Sequence, residues 1–417
     1  MRIIADLHVH SKYARATSSS CDIPGLAQGA KIKGIGVMAT GDFTHPSYFQ
    51  ELTSYLSKNE VADGAGIYKY KDMSFILSTE LSVIYELGDK TRKMHHLVLA
   101  PSLETAAQIN DRMAKYGSLD ADGRPMLKIS SAGLVEELES ISKDIAVIPS
   151  HVWTPWFAIF GSKSGVDSVE QAFEDKSDRI FALETGLSSD PQMNWMISVL
   201  DKYSLISNSD AHSLGKLGRE ANVLDIPEIS FSAIINAIKT RKGFVKTFEF
   251  YPEEGKYHYD GHRKCNILWS PWESERHKNI CSVCKRKVTV GVVHRIVDLA
   301  DRKPGIKPEG AVPFQHIVPL VTIISKTIKK GEATQAVAEE YDRIIRYFGN
   351  EFAVFDATEE QLRLATSPEI ASSIVKVQKG DVRWVPGYDG VFGELVLDGS
   401  KISKNISDGK QKSLGDF

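Results

Sequence analysis

Asp6-Leu7-His8-Val9-His10 sets two imidazoles two residues apart, directly after the apolar run Ile3-Ile4-Ala5. In a strand, residues i and i+2 point to one face, so His8 and His10 project side by side and begin a divalent-metal site. The same local grammar recurs as far as residue 212. Residues 35–40 run into Gly41-Asp42, 75–79 into Glu80, 145–150 into His151 and 180–183 into Glu184. His96 opens the apolar run 97–100, with His95 beside it as the alternative, and 205–208 leads to Asp210 and His212. Imidazoles and carboxylates gathered on one face suit Zn2+, Mn2+ or Fe2+ better than Ca2+. Two such ions about 3.5–4 Å apart polarise a phosphoryl oxygen, generate hydroxide near neutral pH and clamp both oxygens of an in-line displacement. No G-x-S-x-G or P-loop motif competes, so hydrolysis of a phosphate ester is the expected reaction class.

These residues need elements that bring them together. Segments of helical pattern lie between the apolar runs, at 23–33, 47–58, 103–115, 132–142 and 190–203. Strands alternating with helices predict parallel βαβ units, and fully apolar strands predict a sheet covered on both faces. If such a sheet closes, its strand ends converge on one face. The expectation for 1–247 is therefore a distorted seven-stranded (β/α)7 TIM-like barrel.

A formal charge of −3 over 417 residues excludes a molecule that is basic overall, so any nucleic-acid surface must be local. Four cysteines are too few for a disulfide framework and fit a reducing compartment. No basic region followed by an apolar one suggests a signal peptide, and no apolar run suggests a membrane span. A cytoplasmic monomer with no membrane partner is expected.

After His151 come Trp153, Trp156, Phe157 and Phe160, large aromatics that could stack on a base or simply pack as a lid. The composition shifts near residue 245. His262-x2-Cys265 and, fifteen residues on, Cys281-x2-Cys284 have the spacing of two knuckles around one structural zinc, with His258 or His277 as alternatives to His262. Between residues 256 and 310 stand 12 Lys/Arg against 6 Asp/Glu, including Lys285, Arg286 and Lys287 beside the second knuckle. A basic zinc module over 256–310 is a fair nucleic-acid platform, and a solvated charged face is the bland alternative. Residues 311–397 read as α-rich, with helices at 317–329 and from a Thr334 cap to a Gly349 stop. Residues 398–417 read as a flexible tail.

The ordered set Asp6-x-His8-x-His10, Thr40-Gly41-Asp42, Glu80, His96, His151 and Asp210-x-His212 resembles the ligand series of the PHP (polymerase and histidinol phosphatase) superfamily. That resemblance implies one metal on His8, His10, Glu80 and Asp210, the four expected catalytic residues. It implies a second on Glu80, His96 and His151, and a third position served by Asp42 and His212. Two to three divalent ions (Zn, Mn or Mg) are thus expected. Many relatives have Thr-Asp-His where this chain has Thr40-Gly41-Asp42.

The full array, with Phe348-Gly349-Asn350-Glu351-Phe352 and Pro386-Gly387-Tyr388-Asp389-Gly390, resembles the endonuclease Q family of DNA repair nucleases. Relatives tend to use four cysteines where this chain has His262. The resemblance implies cleavage 5′ to deaminated bases (uracil, hypoxanthine, xanthine) or abasic sites. Damaged DNA is then the partner, with repair or replication proteins as further ones. DNA or base contacts are expected from Trp153, Trp156, Phe157, Lys285, Arg286 and Lys287. The rivals are a small-molecule phosphatase of the histidinol-phosphate type and a non-catalytic DNA-binding scaffold.

Overall fold

The computed structural model describes residues 1–56, 60 and 64–397. The expected tail 398–417 and the end of the expected helix 47–58 lie outside the described residues. The chain forms two compact units. One holds Met1–Gly186, Lys202–Phe248 and Val312–Gln315, and the other holds Leu187–Asp201, Glu249–Ala311 and the described residues from His316 on.

The first unit is an α/β fold built on a curled sheet. Its strands are β1 (Arg2–Asp6), β2 (Val37–Ala39), β3 (Ile67–Tyr70), β4 (Met73–Leu87), β5 (Lys90–Ala100), β6 (Met126–Leu127), β7 (Ala146–Pro149), β8 (Ala182–Glu184), β9 (Ser204–Ile206), β10 (Ala221–Asp225) and β11 (Phe244–Glu249). The order of neighbours is β11-β10-β1-β2-β4-β5-β7, with β3 and β6 also against β4, while β8 and β9 pair with each other.

The expectation of uniformly parallel strands is corrected. β1, β2 and β4 run parallel, as do β8 and β9, but β4–β5, β5–β7, β1–β10 and β10–β11 are antiparallel. The cause is local. Leu87 pairs with Lys90 across Gly88-Asp89, a two-residue turn with Gly88 at φ 61°, so β4 folds straight back as a hairpin. Full ladders do not run round all seven expected strands. Instead, Val152 N donates to Glu184 O (3.0 Å) and His10 N donates to Ala211 O (3.0 Å), which ties the β8–β9 ribbon to the sheet at its strand ends.

Helices follow caps that the sequence carries. α1 (Ile23–Lys33) starts where Asp22 accepts from Gly25 N and stops at Gly34, φ 90°. α2 (Pro46–Leu56) buries Tyr48, Leu52 and Leu56, while α3 (Leu103–Met113) and α4 (Ser131–Ile141) begin at Ser102 and Ser130. Each buried Leu or Ile on these faces contributes roughly 1.5–3 kcal/mol by leaving water. That burial holds the helices on the sheet and the strand ends in place.

In the second unit the expected helix at 190–203 is only the turn Pro191–Asn194 and a 3-10 turn, Ser198–Leu200, because Ile197 is extended at φ −121°. The helix expected at 317–329 starts later. Pro319 at φ −50°, ψ 134° caps Leu320–Ile328, and a residue before proline avoids the helical region. Gln335–Phe348 follows Thr334 and ends at Gly349. Buried Glu351 accepts from Leu320 N (3.0 Å) and Tyr341 Oη (2.6 Å), which pins three helices through one carboxylate. Among the described residues no helix is long and apolar enough to cross a membrane.

Candidate metal centre

The end of β1 continues into His8–His10, which bonds to the segment after β9. Asp210 N donates to His8 O at 2.9 Å, and Val9 bridges Ala211. This pairing seats the HxH beside Asp210. Asp6 fixes the approach: its carboxylate accepts from Ser209 N and Gly218 N at 3.0 Å each, and burial pushes its pKa up to about 6.

The donors form two groups. In the first, His10 Nε2 lies 3.0 Å and His8 Nε2 4.0 Å from Asp210 Oδ1. In the second, His95 Nδ1 and His151 Nε2 each lie 3.0 Å from Glu80 Oε1. Glu80 also links them, 3.6 Å from His8 Nε2 and 3.4 Å from His10 Nε2. His8 Nε2, His10 Nε2, Glu80 Oε2 and Asp210 Oδ1 are buried with no hydrogen-bond partner. Orphaned atoms of this kind are costly unless something else satisfies them, and this donor set fits divalent cations. Burial works against charge on Glu80, yet His95, His8, His10 and His151 hold it well below the usual carboxylate range. Burial likewise opposes charge on His8, but Glu184 and Glu80 outweigh it and raise its pKa.

Each HxH imidazole is held from behind by a carboxylate. Glu184 accepts from His8 Nδ1 at 3.0 Å, and Asp42 accepts from His10 Nδ1 at 2.9 Å. Such pairs set the tautomer and leave Nε2 free to bind metal. Glu184 further accepts from His151 N (2.8 Å) and Asn208 Nδ2 (2.8 Å), so one buried carboxylate positions residues of both donor groups. The polar strand end at Glu184 was visible in the sequence, but its orienting role needed the fold. Asp42, His151 and Asp210 have φ of 44°, 31° and 46°, values that non-glycine residues adopt only under constraint and that gather at functional sites.

The geometry changes several of the assignments expected from sequence. His96 does not reach the donors: its Nε2 contacts Ser131 Oγ at 2.9 Å, its ring lies 5.1 Å from Phe173, and burial lowers its pKa to about 3. The register explains it. His95 pairs with Ser82 and His96 with Leu81, so only His95 shares the face of Glu80. Asp42 likewise lies outside both donor groups, its two oxygens accepting from His10 Nδ1 at 2.9 Å and Ser11 N at 2.5 Å. His212 lies beside the first group, its ring 4.5 Å from His10 and its Nδ1 3.0 Å from Asp210 O, outside both donor sets. Trp153 is 1% exposed and packs on Phe160, so it is a core residue and cannot stack on a base. Trp156 is 46% exposed, and Phe157 lies against His95 with ring centroids 4.8 Å apart.

In the second unit His262, Cys265, Cys281 and Cys284 offer donor atoms all within 4.8 Å of one another. His258 is buried against Tyr259 and His277 stacks on Trp269, so neither joins them. Burial opposes ionisation of the Cys281 thiol, but the N–H groups of Cys284 and Val283, with His262, bring it down to about 6. Trp269, Cys281 and Val288 form a small core there, backed by Cys265, Ile267 and Cys284. Lys285, Arg286 and Lys287 are exposed beside it.

The imidazoles and carboxylates thus gather at strand ends of a curled α/β sheet, and residues 201–242 match the family described as PHP-associated. Residues 319–381 match the family described as MJ0043 C-terminal domain. The lesion-specific endonuclease Q of Pyrococcus furiosus superposes with a TM-score of 0.85 at 29% identity, over 96% of this chain and 98% of that one. A structure of endonuclease Q with a 27-mer duplex bearing an abasic lesion at its active site gives 0.84 at 29%, over 97% and 99%. YqxK of Bacillus subtilis is 28% identical over 94% of this chain and 99% of its own. MJ0043 of Methanocaldococcus jannaschii is 31% identical over 60% of this chain and 32% of its own. Over nearly its whole length the chain is thus similar to endonuclease Q.

Proposed function

We propose that this protein is a metal-dependent endonuclease that hydrolyses the DNA phosphodiester 5′ to deaminated bases (uracil, hypoxanthine, xanthine) or abasic sites. The observation that carries this reading is the pair of donor groups meeting at Glu80, with buried, unpartnered atoms on His8, His10, Glu80 and Asp210. The full-length likeness to endonuclease Q supports it. On this reading residues 1–247 are the PHP domain, 256–310 the zinc-binding basic module and 311–397 the helical region.

His8, His10, Glu80 and Asp210 would hold one ion, and Glu80, His95 and His151 a second. Bound there, Zn2+, Mn2+ or Mg2+ supplies Lewis acidity toward a phosphoryl oxygen and an activated water. The protein's own part is positioning. Glu184 and Asp42 fix two imidazole tautomers, and Glu184 also holds the His151 backbone. Asp210, His95 and His151 keep 25%, 12% and 12% of their side chains exposed, so a phosphate can approach from their side, while His8, His10 and Glu80 stay dry. Trp156 stands near this mouth in sequence and in exposure suits stacking on an extruded base, which a poorly paired lesion yields at lower cost. His262, Cys265, Cys281 and Cys284 hold a structural zinc on this reading, and Lys285, Arg286 and Lys287 contact DNA phosphates.

The test is cleavage of an end-labelled duplex with one hypoxanthine, beside an undamaged duplex and p-nitrophenyl phosphate. Lesion-dependent incision is expected. Hydrolysis of the small ester alone would point to the phosphatase, and binding without cleavage to the scaffold.

A further inference from the structure

The loop between α3 and β6 is built onto the segment that follows the HxH. Gly123 N donates to Tyr13 O at 3.1 Å, and Asp122 Oδ1 accepts from Arg15 N (3.2 Å) and Arg124 N (3.1 Å). Gly123 has no room for a side chain: a Cβ there would lie 2.6 Å from Asp42 Cγ and 2.9 Å from Ala14 Cβ. The close approach therefore ties the position of residue 124 to the residues that orient His10.

Arg124 projects from this loop to the donors. Its Nε is 4.0 Å from Glu80 Oε2, one of the orphaned atoms, and its side chain is 24% exposed against none for Glu80. Its guanidinium makes no hydrogen bond among the described residues. Other cations nearby are engaged: Lys12 pairs with Glu51 at 2.8 Å, and Arg219 donates to the Ser209 and Asp210 carbonyls. The one anion beside it, Glu80, is shared with both donor groups, so a guanidinium here is repelled by bound cations unless a further anion joins it. A planar fork with unused donors matches the oxygens of a phosphate.

We infer that Arg124 binds a non-bridging oxygen of the scissile phosphate and stabilises the charge that gathers there during hydrolysis. This rests on the phosphodiesterase reading above. In the step it serves, water oxygen bonds to phosphorus, the ester P–O bond breaks, and the proton from water ends on the leaving oxygen. Arg124 holds phosphate oxygen and transfers nothing.

The test uses Arg124→Ala and Arg124→Lys in the full chain with metals bound, and reads phosphate binding before activity. Inorganic phosphate, titrated calorimetrically, should bind Arg124→Ala about tenfold or more weakly than wild type, with Arg124→Lys in between. Metal content by mass spectrometry should not change. Single-turnover cleavage of the hypoxanthine duplex should fall about 100-fold in Arg124→Ala, with guanidinium in the buffer restoring part of it. If Arg124→Ala does not fold, Arg124→Lys carries the comparison. Phosphate affinity equal to wild type, or a loss that tracks loss of metal, overturns the inference. Should the wild type bind phosphate in an Arg124-dependent way yet leave lesion DNA intact, the DNA reading fails while Arg124 stands as a phosphate ligand. Should it cleave lesion DNA with phosphate binding indifferent to residue 124, the reverse holds.

Discussion

Replacing Gly186 by alanine asks whether His151 is held by the backbone packed beneath it. Gly186 has φ +62°, and a Cβ there would lie 2.5 Å from His151 Cβ and 2.7 Å from His151 Cα. The clash is with backbone and Cβ, so no side-chain rotation relieves it. A left-handed alanine costs about 1–2 kcal/mol and overpacking about 1–3 more, together roughly 2–5 kcal/mol unless His151 moves. His151 has little freedom to do so at its own φ of 31°. Any movement would draw its Nε2 away from Glu80 Oε1, now at 3.0 Å, and loosen the Glu80–His95–His151 group. Urea unfolding with metal counting by mass spectrometry reads both effects. Gly215→Ala is the control, because a Cβ there meets nothing within 4 Å. The expected outcome is a lower midpoint and one divalent ion fewer in Gly186→Ala, with Gly215→Ala like wild type. Gly186→Ala matching the control in both measurements would refute the packing argument.

Other outcomes follow from the same geometry. His95→Asn should remove an ion from the site and lower cleavage about 100-fold, whereas His96→Gln should keep the wild-type metal count even where it costs stability, as mass spectrometry will show. Cys281→Ser/Cys284→Ser should release one zinc and flatten the salt dependence of DNA binding, and an unchanged zinc count would mean another set of ligands. Trp153→Ala should destabilise the fold by about 3–5 kcal/mol in urea titrations. Trp156→Ala should spare stability but slow cleavage at hypoxanthine about tenfold more than at an abasic site, which has no base to stack; equal losses would make Trp156 a lid. Burial opposes charge on His316, but Asp190, 3.1 Å from its Nε2, raises its pKa above 6.5. The pair's stability is therefore full below about 6.5 and fades as pH climbs through the raised midpoint. Asp190→Asn should reduce that slope in pH-dependent unfolding, leaving the part due to Glu253 and Glu249, and bring the His316 NMR titration down.

What was legible in the sequence was local. His8 and His10 share a strand face by spacing alone, and two C/H-x2-C knuckles bring their own ligands together through short turns. What was not legible depends on partners distant in the chain. His95 and His96 differ only in parity, and parity means nothing until β5 is registered on β4. Asp42 sits at a strand end like a ligand, but its turn at φ 44° aims both oxygens at His10 and Ser11. Trp153 and Trp156 look alike three residues apart, and only packing on Phe160 shows that one is core. The antiparallel β4–β5 hairpin was missed because Gly88-Asp89 lies in a polar stretch, between apolar runs that read as separate strands.

The most direct measurement is strand cleavage at a defined lesion by protein stripped of metal and then reloaded. Wild type and Asp210→Asn are each given an end-labelled duplex with one hypoxanthine or one abasic site, before and after Mn2+, Mg2+ or Zn2+ is added. A single incision on the 5′ side of the lesion is expected from reloaded wild type, and none from the stripped protein, from Asp210→Asn or on undamaged duplex. Incision by Asp210→Asn at the wild-type rate, or none by reloaded wild type, would contradict the metal-dependent mechanism.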